Sequence, residues 1–393
     1  MQIYQYICRR MLLHNENTAG IYLHIPFCHK ACTYCNFHFS TSLALKEPMV
    51  AAIIDEMHLR SGYTGSSKIS SLYFGGGTPS LLSASELQRL METLHSLYTV
   101  SPQAEITLEA NPDDITPANL KYWRNAGINR LSIGIQSFYD RNLIWMNRTH
   151  SAADAERCIY LAQDAGFNNI TADLIYGLPL LTQIEWESAL YKLSSTRIDH
   201  ISCYALTVEP KTVLQHMVHK GTIRVPDENT TALQFEMAVS LLGSEGFEHY
   251  EISNFARNQQ YAVHNSSYWT GAKYAGFGPS AHSYNLQSRQ WNIANNAKYI
   301  EQIQQGSGWY ETEVLTVFQQ MNERIMLGLR TMWGLDLVRF KDDFGEQNLN
   351  ILLQSANTWL LKKGLIQVND HLTIAPSEKF ISDAIIADLF FTE

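Results

Sequence analysis

The chain of 393 residues is 45% hydrophobic, long enough to bury a large core and to form one large domain with a smaller one. Its 38 acidic and 29 basic residues give a net charge of −9, which disfavours a broad phosphate-binding surface, so nucleic acid is not an expected partner. No apolar run approaches the roughly 18 residues of a membrane span and no signal peptide is recognisable, so we expect a cytoplasmic protein that is not integral to a membrane.

Three cysteines follow an apolar β-type run, at spacings of four and three residues: Cys28, Cys32 and Cys35. Such clustering of thiols indicates a metal. Iron-sulfur clusters usually take four cysteines, so three would leave one iron open to a small molecule. A disulfide, which would leave one thiol over, and a zinc site completed by a histidine are the alternatives. The candidate histidines are His24, His29 and His38.

Short β-type runs alternate with amphipathic helical patterns as far as residue 205. The runs are residues 21–25, 72–74, 105–110, 130–135, 170–174 and 201–205. Between the second and third runs, residues 84–97 place apolar side chains on one helical face. Six βα units predict an α/β fold with a parallel barrel or open barrel, in which the active site lies beyond the carboxyl ends of the strands.

Polar or glycine-rich residues follow the ends of these strands. Residues 75–79 read Gly-Gly-Gly-Thr-Pro, and consecutive glycines let a ligand approach the backbone, although a tight turn would explain one or two of them. Glu109 ends the third strand and Asp173 interrupts the fifth, where they can accept hydrogen bonds from ribose or ammonium groups. Gln136 ends the fourth strand, and Arg148, expected in a helix, can bind a carboxylate. An ordinary surface acid is the alternative for Glu109.

Residues 248–310 are rich in aromatic residues, histidines and glycines. A flat macrocycle needs aromatic or aliphatic walls and often a histidine nitrogen for its iron, and this segment offers both. His264 is the candidate ligand, although a lone histidine is more often a hydrogen-bonded core or surface residue.

Residues 311–393 predict helices followed by a hairpin, at residues 322–331, 350–363, 365–368 and 372–374. This order resembles a winged-helix module and predicts an α+β lid or packing domain, with DNA binding as the alternative. Residues 1–19 match no motif and form an unassigned extension, which leaves residues 20–247 as the core.

With its flanking residues, the cysteine segment reads YLHIPFCxxxCxYCNF over residues 22–37, and it resembles the signature of radical SAM proteins of the oxygen-independent coproporphyrinogen oxidase superfamily. The resemblance implies a partial (β/α)6 barrel and a 4Fe-4S cluster on the three cysteines, with the amino and carboxylate groups of S-adenosylmethionine (SAM) on the fourth iron. Matching SAM-contact positions are Tyr22, Tyr34, Gly76, Gly77, Thr78, Glu109, Gln136, Arg148, Asp173, Ala205 and His282. At the last of these the porphyrinogen-oxidising branch has a different residue.

The segments YEISNFA, HNxxYW and GFGPSAHSY resemble one branch of that superfamily, the HemW-type haem chaperones. There the histidine of HNxxY is associated with haem, which implies haem binding at His264 and Tyr268. The resemblance therefore implies a carrier that binds haem and passes it to an acceptor protein. An electron donor such as flavodoxin or ferredoxin is a further implied partner.

The alternative function is enzymatic, the radical SAM decarboxylation of coproporphyrinogen III. The decarboxylating branch has a fourth cysteine two positions after the third, where this chain has Phe37. That difference favours the carrier, while reductive cleavage of SAM stays open for both. A zinc-dependent or purely structural protein is a third class, and it would contain no iron or sulfide.

Overall fold

The computed structural model describes residues 17–392. Residues 17–19, the end of the expected N-terminal extension, are described, and Thr18 already belongs to the first strand. Among the described residues, no helix is long and apolar enough to cross a bilayer.

Six neighbouring parallel strands form the middle of a twelve-stranded sheet and follow one another in chain order. They are β1 (Thr18–Ile25), β2 (Lys68–Gly76), β3 (Val100–Ala110), β4 (Arg130–Gln136), β5 (Asn169–Tyr176) and β6 (His200–Ala205). The helices between them are α1 (Lys46–Leu59), α2 (Ala84–Leu97), α3 (Pro117–Asn125), α4 (Asp140–Trp145), α5 (Ala152–Asp164) and α6 (Gln183–Ser194). The expected α/β fold with parallel strands is confirmed, and because β7 and β12 end the sheet without pairing with each other, the sheet is open.

Short strands extend this sheet on both sides. On the β6 side lie β8 and β7, and on the β1 side lie β9, parallel to β1, and then three antiparallel strands. They are β7 (Glu248–His249), β8 (Asn254–Ala256), β9 (Lys273–Phe277), β10 (His282–Tyr284), β11 (Ser288–Asn292) and β12 (Tyr310–Val314). The accompanying helices are α7 (Val213–His219), α8 (Glu228–Ser244), α9 (Val263–Trp269) and α10 (Asn296–Gln305). The domain boundary expected at residue 311 falls inside β12.

The C-terminal part has its own apolar core and a small antiparallel sheet of order β13-β15-β14. Its elements are α11 (Val317–Leu329), β13 (Leu335–Asp336), α12 (Leu337–Phe344), α13 (Glu346–Leu361), β14 (Leu365–Val368), β15 (His371–Ile374) and α14 (Ser382–Ala387). The hairpin lies where the sequence predicts it. The two predicted helices begin several residues earlier than expected, and the sequence missed α12 and α14.

Helix starts are encoded locally in this chain. Four helices begin with a capping box, in which a Ser or Thr side chain accepts the backbone N–H three residues on, and that residue's side chain accepts the cap's N–H. The cap residues are Ser83, Ser151, Thr182 and Thr316. These reciprocal bonds satisfy N–H groups that a helix leaves unpaired, so each of these boundaries is fixed by its own sequence.

A buried carboxylate joins α1 to the strands that extend the sheet. Glu56 is completely buried and forms an ion pair with Arg60 at 2.8 Å. Its oxygens also accept from the N–H of Gly278 at 2.9 Å and from the Tyr299 hydroxyl at 2.5 Å. A buried charge is tolerated only when it is paired and hydrogen-bonded, and Glu56 meets both conditions.

We expect Glu56→Ala to lower the free energy of unfolding by about 3–5 kcal/mol, because it leaves the Arg60 guanidinium buried without its carboxylate. Asp55→Ala is the matched control: Asp55 lies on the same helix but is exposed, and its loss should change stability by less than about 0.5 kcal/mol. Urea unfolding followed by circular dichroism measures both. Equal effects of the two substitutions would contradict a structural role for Glu56.

Candidate functional site

The three clustered cysteines lie on the segment after β1, at the edge of a cavity beyond the carboxyl ends of the parallel strands. Cys28, Cys32 and Cys35 are all free thiols and are partly buried. Burial raises the pKa of Cys28 and raises the pKa of Cys35 to about 11. The raised pKa values keep the thiols of Cys28 and Cys35 neutral at neutral pH, and a bound metal ion would deprotonate the thiols that coordinate it.

Backbone hydrogen bonds hold the cysteine segment from three sides. The N–H of Cys28 donates to the carbonyl of Ser40 at 3.0 Å, and the N–H of Thr33 donates to the carbonyl of Met146, after α4, at 3.2 Å. The carbonyl of Thr33 accepts the N–H of Leu214, in α7, at 2.8 Å. The segment therefore has a fixed path although it contains no helix or strand longer than a single bridge.

The glycine-rich turn after β2 is hydrogen-bonded to the start of the cysteine segment. The N–H of Gly77 donates to the carbonyl of Ile25 at 2.9 Å, and the N–H of Thr78 donates to the carbonyl of Phe27 at 2.7 Å. A Cβ at Gly77 would lie 2.6 Å from the Phe27 oxygen, a distance that real Cβ atoms do not reach. Gly77 is therefore required by chain packing, and not only by ligand approach as the sequence suggested.

Gly76 has φ +108°, and a Cβ there would lie 2.6 Å from the His24 ring. Both nitrogens of that ring are engaged, one with the Tyr22 hydroxyl at 3.1 Å and the other with the His38 carbonyl at 2.9 Å. Across residues 17–392, no group of three or more His, Cys, Asp or Glu side chains is arranged to hold a single metal ion.

Arg148 lies beside the thiols but not in a helix, so that expectation was wrong: helix α4 ends at Trp145. Its Nη2 donates to Asn111 Oδ1 at 2.7 Å and to the Gly134 carbonyl at 2.9 Å, and its Nη1 lies 3.5 Å from Cys32 Sγ. Its Nε is buried and has no partner among the described residues. The guanidinium therefore lies against the Cys32 thiol, and the N–H of its buried Nε has no partner among the described residues.

Glu109 is not a surface acid but points into the cavity from the end of β3. It accepts the Tyr73 hydroxyl at 2.7 Å and the N–H of Gly76 at 3.2 Å. Burial raises its pKa to about 7, opposed by the Tyr73 hydrogen bond. The carboxyl group therefore changes its charge near neutral pH.

Asp173 lies two strands away on β5 and lines the same cavity. Burial raises its pKa, opposed first by hydrogen bonds from Ser202 and Ser132, and the Ser132 bond measures 3.1 Å. Gln136, at the end of β4, has φ +63°, a left-handed conformation that costs free energy for a residue other than glycine. Such local strain is typical of functional sites, and here it follows a shift in the pairing of β4 with β5.

The cavity has a volume of about 400 Å³ and collects most of the expected cofactor residues. Its walls include Cys28, Cys32, Cys35, Tyr34, Gly76, Gly77, Thr78, Glu109, Gln136, Arg148, Asp173 and Ala205. Tyr22, Tyr268 and His282 line a neighbouring cavity instead. Three thiols on one edge, with a guanidinium beside one of them, fit the ligands of an iron-sulfur cluster.

His264 does not have the geometry expected of a haem ligand. It is 1% exposed, and its Nδ1 lies 2.8 Å from Ser71 Oγ while its Nε2 lies 2.9 Å from the Tyr268 hydroxyl. Burial lowers its pKa to about 3, so the ring is neutral. Iron binding at His264 would require both hydrogen bonds to break and the ring to leave its buried position.

Several cavity residues were missed by the sequence analysis, among them Ser132 and Gly134. They alternate with buried apolar residues along β4 and share a face with Gln136. The alternation of side chains along a strand could have identified them. Once Gln136 is taken as a functional residue, the residues two and four positions before it are expected to face the same cavity.

Two family profiles match this chain. That of the Radical SAM superfamily covers residues 22–192, and that of the HemN C-terminal domain covers residues 315–374. Heme chaperone HemW of Bacillus subtilis is 36% identical over 349 residues, which is 88% of this chain and 92% of the relative. Heme chaperone HemW of Mycobacterium tuberculosis is 31% identical over 94% of each chain. The chain belongs to the HemW family of radical SAM proteins.

The fold agrees with that assignment. The crystal structure of coproporphyrinogen III oxidase (HemN) from Escherichia coli aligns with a TM-score of 0.82 over 97% of this chain and 92% of that chain, at 21% identity. At that identity the likeness describes the fold alone. Radical SAM proteins as a class use a 4Fe-4S cluster and SAM, which is the chemistry that the thiols and the cavity fit.

We expect Gly77→Ala to reduce the iron and sulfide that the protein retains, because the added Cβ would displace the segment that carries the cysteines. Iron and sulfide are measured after anaerobic reconstitution. Gly62→Ala is the control, since nothing lies within 4 Å of a Cβ there. Full cluster content in Gly77→Ala would show that the segment tolerates the displacement.

Proposed function

We propose that this protein is a haem chaperone that holds a 4Fe-4S cluster and SAM, binds haem and transfers it to an acceptor protein. The observation that carries the proposal is the similarity to heme chaperone HemW of Bacillus subtilis, at 36% identity over 88% of this chain and 92% of the relative. The arrangement of thiols, carboxylates and guanidinium around one cavity supports the cofactor part independently.

In this proposal Cys28, Cys32 and Cys35 would hold the cluster, whose chemistry would be electron donation to SAM. Arg148 stands next to the thiols and offers its free Nε to the carboxylate of SAM. The Tyr34 ring is partly buried near these thiols and the guanidinium and lines this part of the cavity.

The other SAM contacts follow from the cavity walls. Glu109 and Asp173 accept hydrogen bonds from the ammonium and ribose groups, and their separation across β3, β4 and β5 suits an elongated ligand. Gly76, Gly77 and Thr78 offer backbone groups, and Gln136 and Ala205 complete the walls. Because the pair of carboxyl groups is buried, a cationic ligand would also reduce their mutual repulsion.

The proposal also includes an electron donor and a cellular compartment. We propose a cytoplasmic protein that receives electrons from flavodoxin or ferredoxin. Phe37, 68% exposed at the edge of the cysteine segment, is a suitable contact for such a donor, because electron transfer needs close approach to the cluster.

The competing function is coproporphyrinogen decarboxylation. The position of the fourth cysteine expected from the decarboxylating branch is occupied by Phe37. An exposed aromatic ring cannot supply a thiol, so the carrier is the better-supported function.

The test is anaerobic reconstitution of the full chain, followed by haem titration and by transfer to a haem-free acceptor. We expect a stoichiometric haem complex that gives up its haem to the acceptor, and no vinyl product from coproporphyrinogen III with SAM and reductant. Formation of the decarboxylated product would show that the protein is the decarboxylase and not a carrier. Absence of both haem binding and turnover would remove both functions.

The charge state of Glu109 gives a separate prediction for SAM. Its pKa of about 7 means that the carboxylate is protonated below neutral pH and loses the negative charge that attracts the ammonium group of SAM. SAM affinity should therefore fall by up to about tenfold per pH unit below 7 and level off above it. Equilibrium dialysis of reconstituted protein at pH 8 and pH 6 measures the change.

Glu109→Gln should bind SAM more weakly at pH 8 and lose this pH dependence, whereas Glu245→Gln, at an exposed position, should keep it. The same slope in wild type and Glu109→Gln would assign the titration to another group.

A further inference from the structure

A basic surface lies next to the cysteine segment, on α7 and the turns at its two ends. Between residues 210 and 226 the chain contains no acidic residue. The basic residues of this stretch are all exposed, and they are Lys211, His216, His219, Lys220 and Arg224. In a chain with a net charge of −9, this local excess of cations makes one part of the surface attractive to an acidic partner.

The permanent cations of this surface are not used by the fold. Lys211, Lys220 and Arg224 form no ion pair with any residue of the described chain. The acids that flank the stretch have contacts of their own. Asp227 accepts the N–H of Thr230 at 2.8 Å as the N-cap of α8, and Glu209 lines the cofactor cavity. Three positive charges are therefore available to a partner.

Helix α7 is attached to the cysteine segment by its buried side. The N–H of Leu214 donates to the carbonyl of Thr33, between the second and third cysteines, at 2.8 Å. The Leu214 side chain is completely buried, and Thr212 caps the helix by accepting the N–H of Gln215 at 3.1 Å. The helix therefore has a fixed position against the loop that would hold the cluster, while its cations are exposed to solvent.

This position matters because electron transfer requires close approach to the cluster. A protein bound to α7 would contact an element that is hydrogen-bonded to the main chain of the cysteine segment itself. Lys30, inside that segment, is also exposed and adds a further positive charge at the edge of the cofactor cavity.

The composition of the surface fits an acidic protein better than a membrane. Between residues 207 and 226, Val213 is the only large apolar side chain that is exposed. A helix that lies in a membrane interface needs an apolar face directed to the lipid, whereas α7 directs Leu214 into the protein. Electron-transfer complexes are small, and complementary charge brings their partners together in the right orientation.

We propose that α7 and its flanking turns form the docking surface for a small acidic electron-carrier protein, which binds through Lys211, Lys220 and Arg224. The inference rests on the proposed function, which includes an electron donor, and adds the surface on which that donor binds. One electron would leave the reduced flavin or iron-sulfur group of the carrier and reduce the cluster by one charge. No bond forms or breaks in this step, and no further reactant is needed.

The first test measures binding of flavodoxin, an acidic carrier, to the anaerobically reconstituted full chain by isothermal titration calorimetry. We expect the α7 pair, Lys211→Glu with Lys220→Glu, to bind flavodoxin at least about tenfold more weakly than wild type. Adding Arg224→Glu should weaken binding further, and wild-type affinity should fall as the salt concentration rises.

The control pair is Lys121→Glu with Lys362→Glu, which makes the same change of net charge at two exposed lysines elsewhere on the chain. It should bind flavodoxin as wild type does.

The second test follows reduction of the cluster by electron paramagnetic resonance, with photoreduced flavodoxin or with dithionite as the reductant. The α7 pair should be reduced at least about tenfold more slowly by flavodoxin, because fewer productive encounters form. Dithionite is a small molecule that needs no docking surface, so it should reduce the α7 pair to the same extent as wild type. This second reductant also shows that the variant is folded and retains its cluster.

The outcomes separate the docking surface from the proposed function. If reconstituted wild type contains no cluster that dithionite reduces, the cofactor part of the proposed function fails. With a reducible cluster, the docking surface alone is overturned if wild type does not bind flavodoxin, if the control pair weakens binding as much as the α7 pair, or if the α7 pair is reduced by flavodoxin at the wild-type rate. Loss of the dithionite-reduced signal in the α7 pair would also overturn it, since these lysines would then support the cluster itself. Weaker binding of the α7 pair to phosphatidylglycerol vesicles, with unchanged reduction by flavodoxin, would assign the surface to a membrane instead.

Discussion

Two backbone hydrogen bonds join the cysteine segment to the turn after β2, and the geometry of the site depends on them. The carbonyls of Ile25 and Phe27 accept N–H groups from Gly77 and Thr78, so the segment leaves β1 in one direction only. There is no space for a Cβ at Gly77 because the Phe27 backbone occupies it. The three thiols are thus positioned by the main chain of two neighbouring parallel strands, before any cofactor is present.

The order of the parallel strands brings the other residues of the cavity together. Since β3, β4 and β5 are neighbours, Glu109, Gln136 and Asp173 reach one cavity although they are distant in sequence. Concentrating carboxyl groups in a buried place raises their pKa values, and the protein moderates this with donors from Tyr73 and the neighbouring serines. The result is a polar cavity whose charge responds to its ligand, inside a fold that is otherwise stabilised by apolar packing.

The sequence predicted the parts of this structure that are encoded locally. All six parallel strands and α2 were found, because alternation and amphipathic spacing are properties of short segments. Arg148 was wrongly placed in a helix: α4 ends at Trp145, and Asn147, a residue type that often ends helices, follows with φ +60°. The pairing of β9 with β1 was also missed, because it joins residues far apart in the chain and the partner strand is short. Long-range pairing leaves no periodic signal in either segment.

The HNxxY motif shows why a recognisable motif does not by itself assign a contact. His264 and its partner Ser71 are separated by 193 positions, so no local pattern indicates that the ring is buried between a strand and a helix. Once buried, both of its nitrogens must be hydrogen-bonded, and Ser71 and Tyr268 meet that requirement. A buried histidine whose two ring nitrogens are both hydrogen-bonded holds the neighbouring side chains in place.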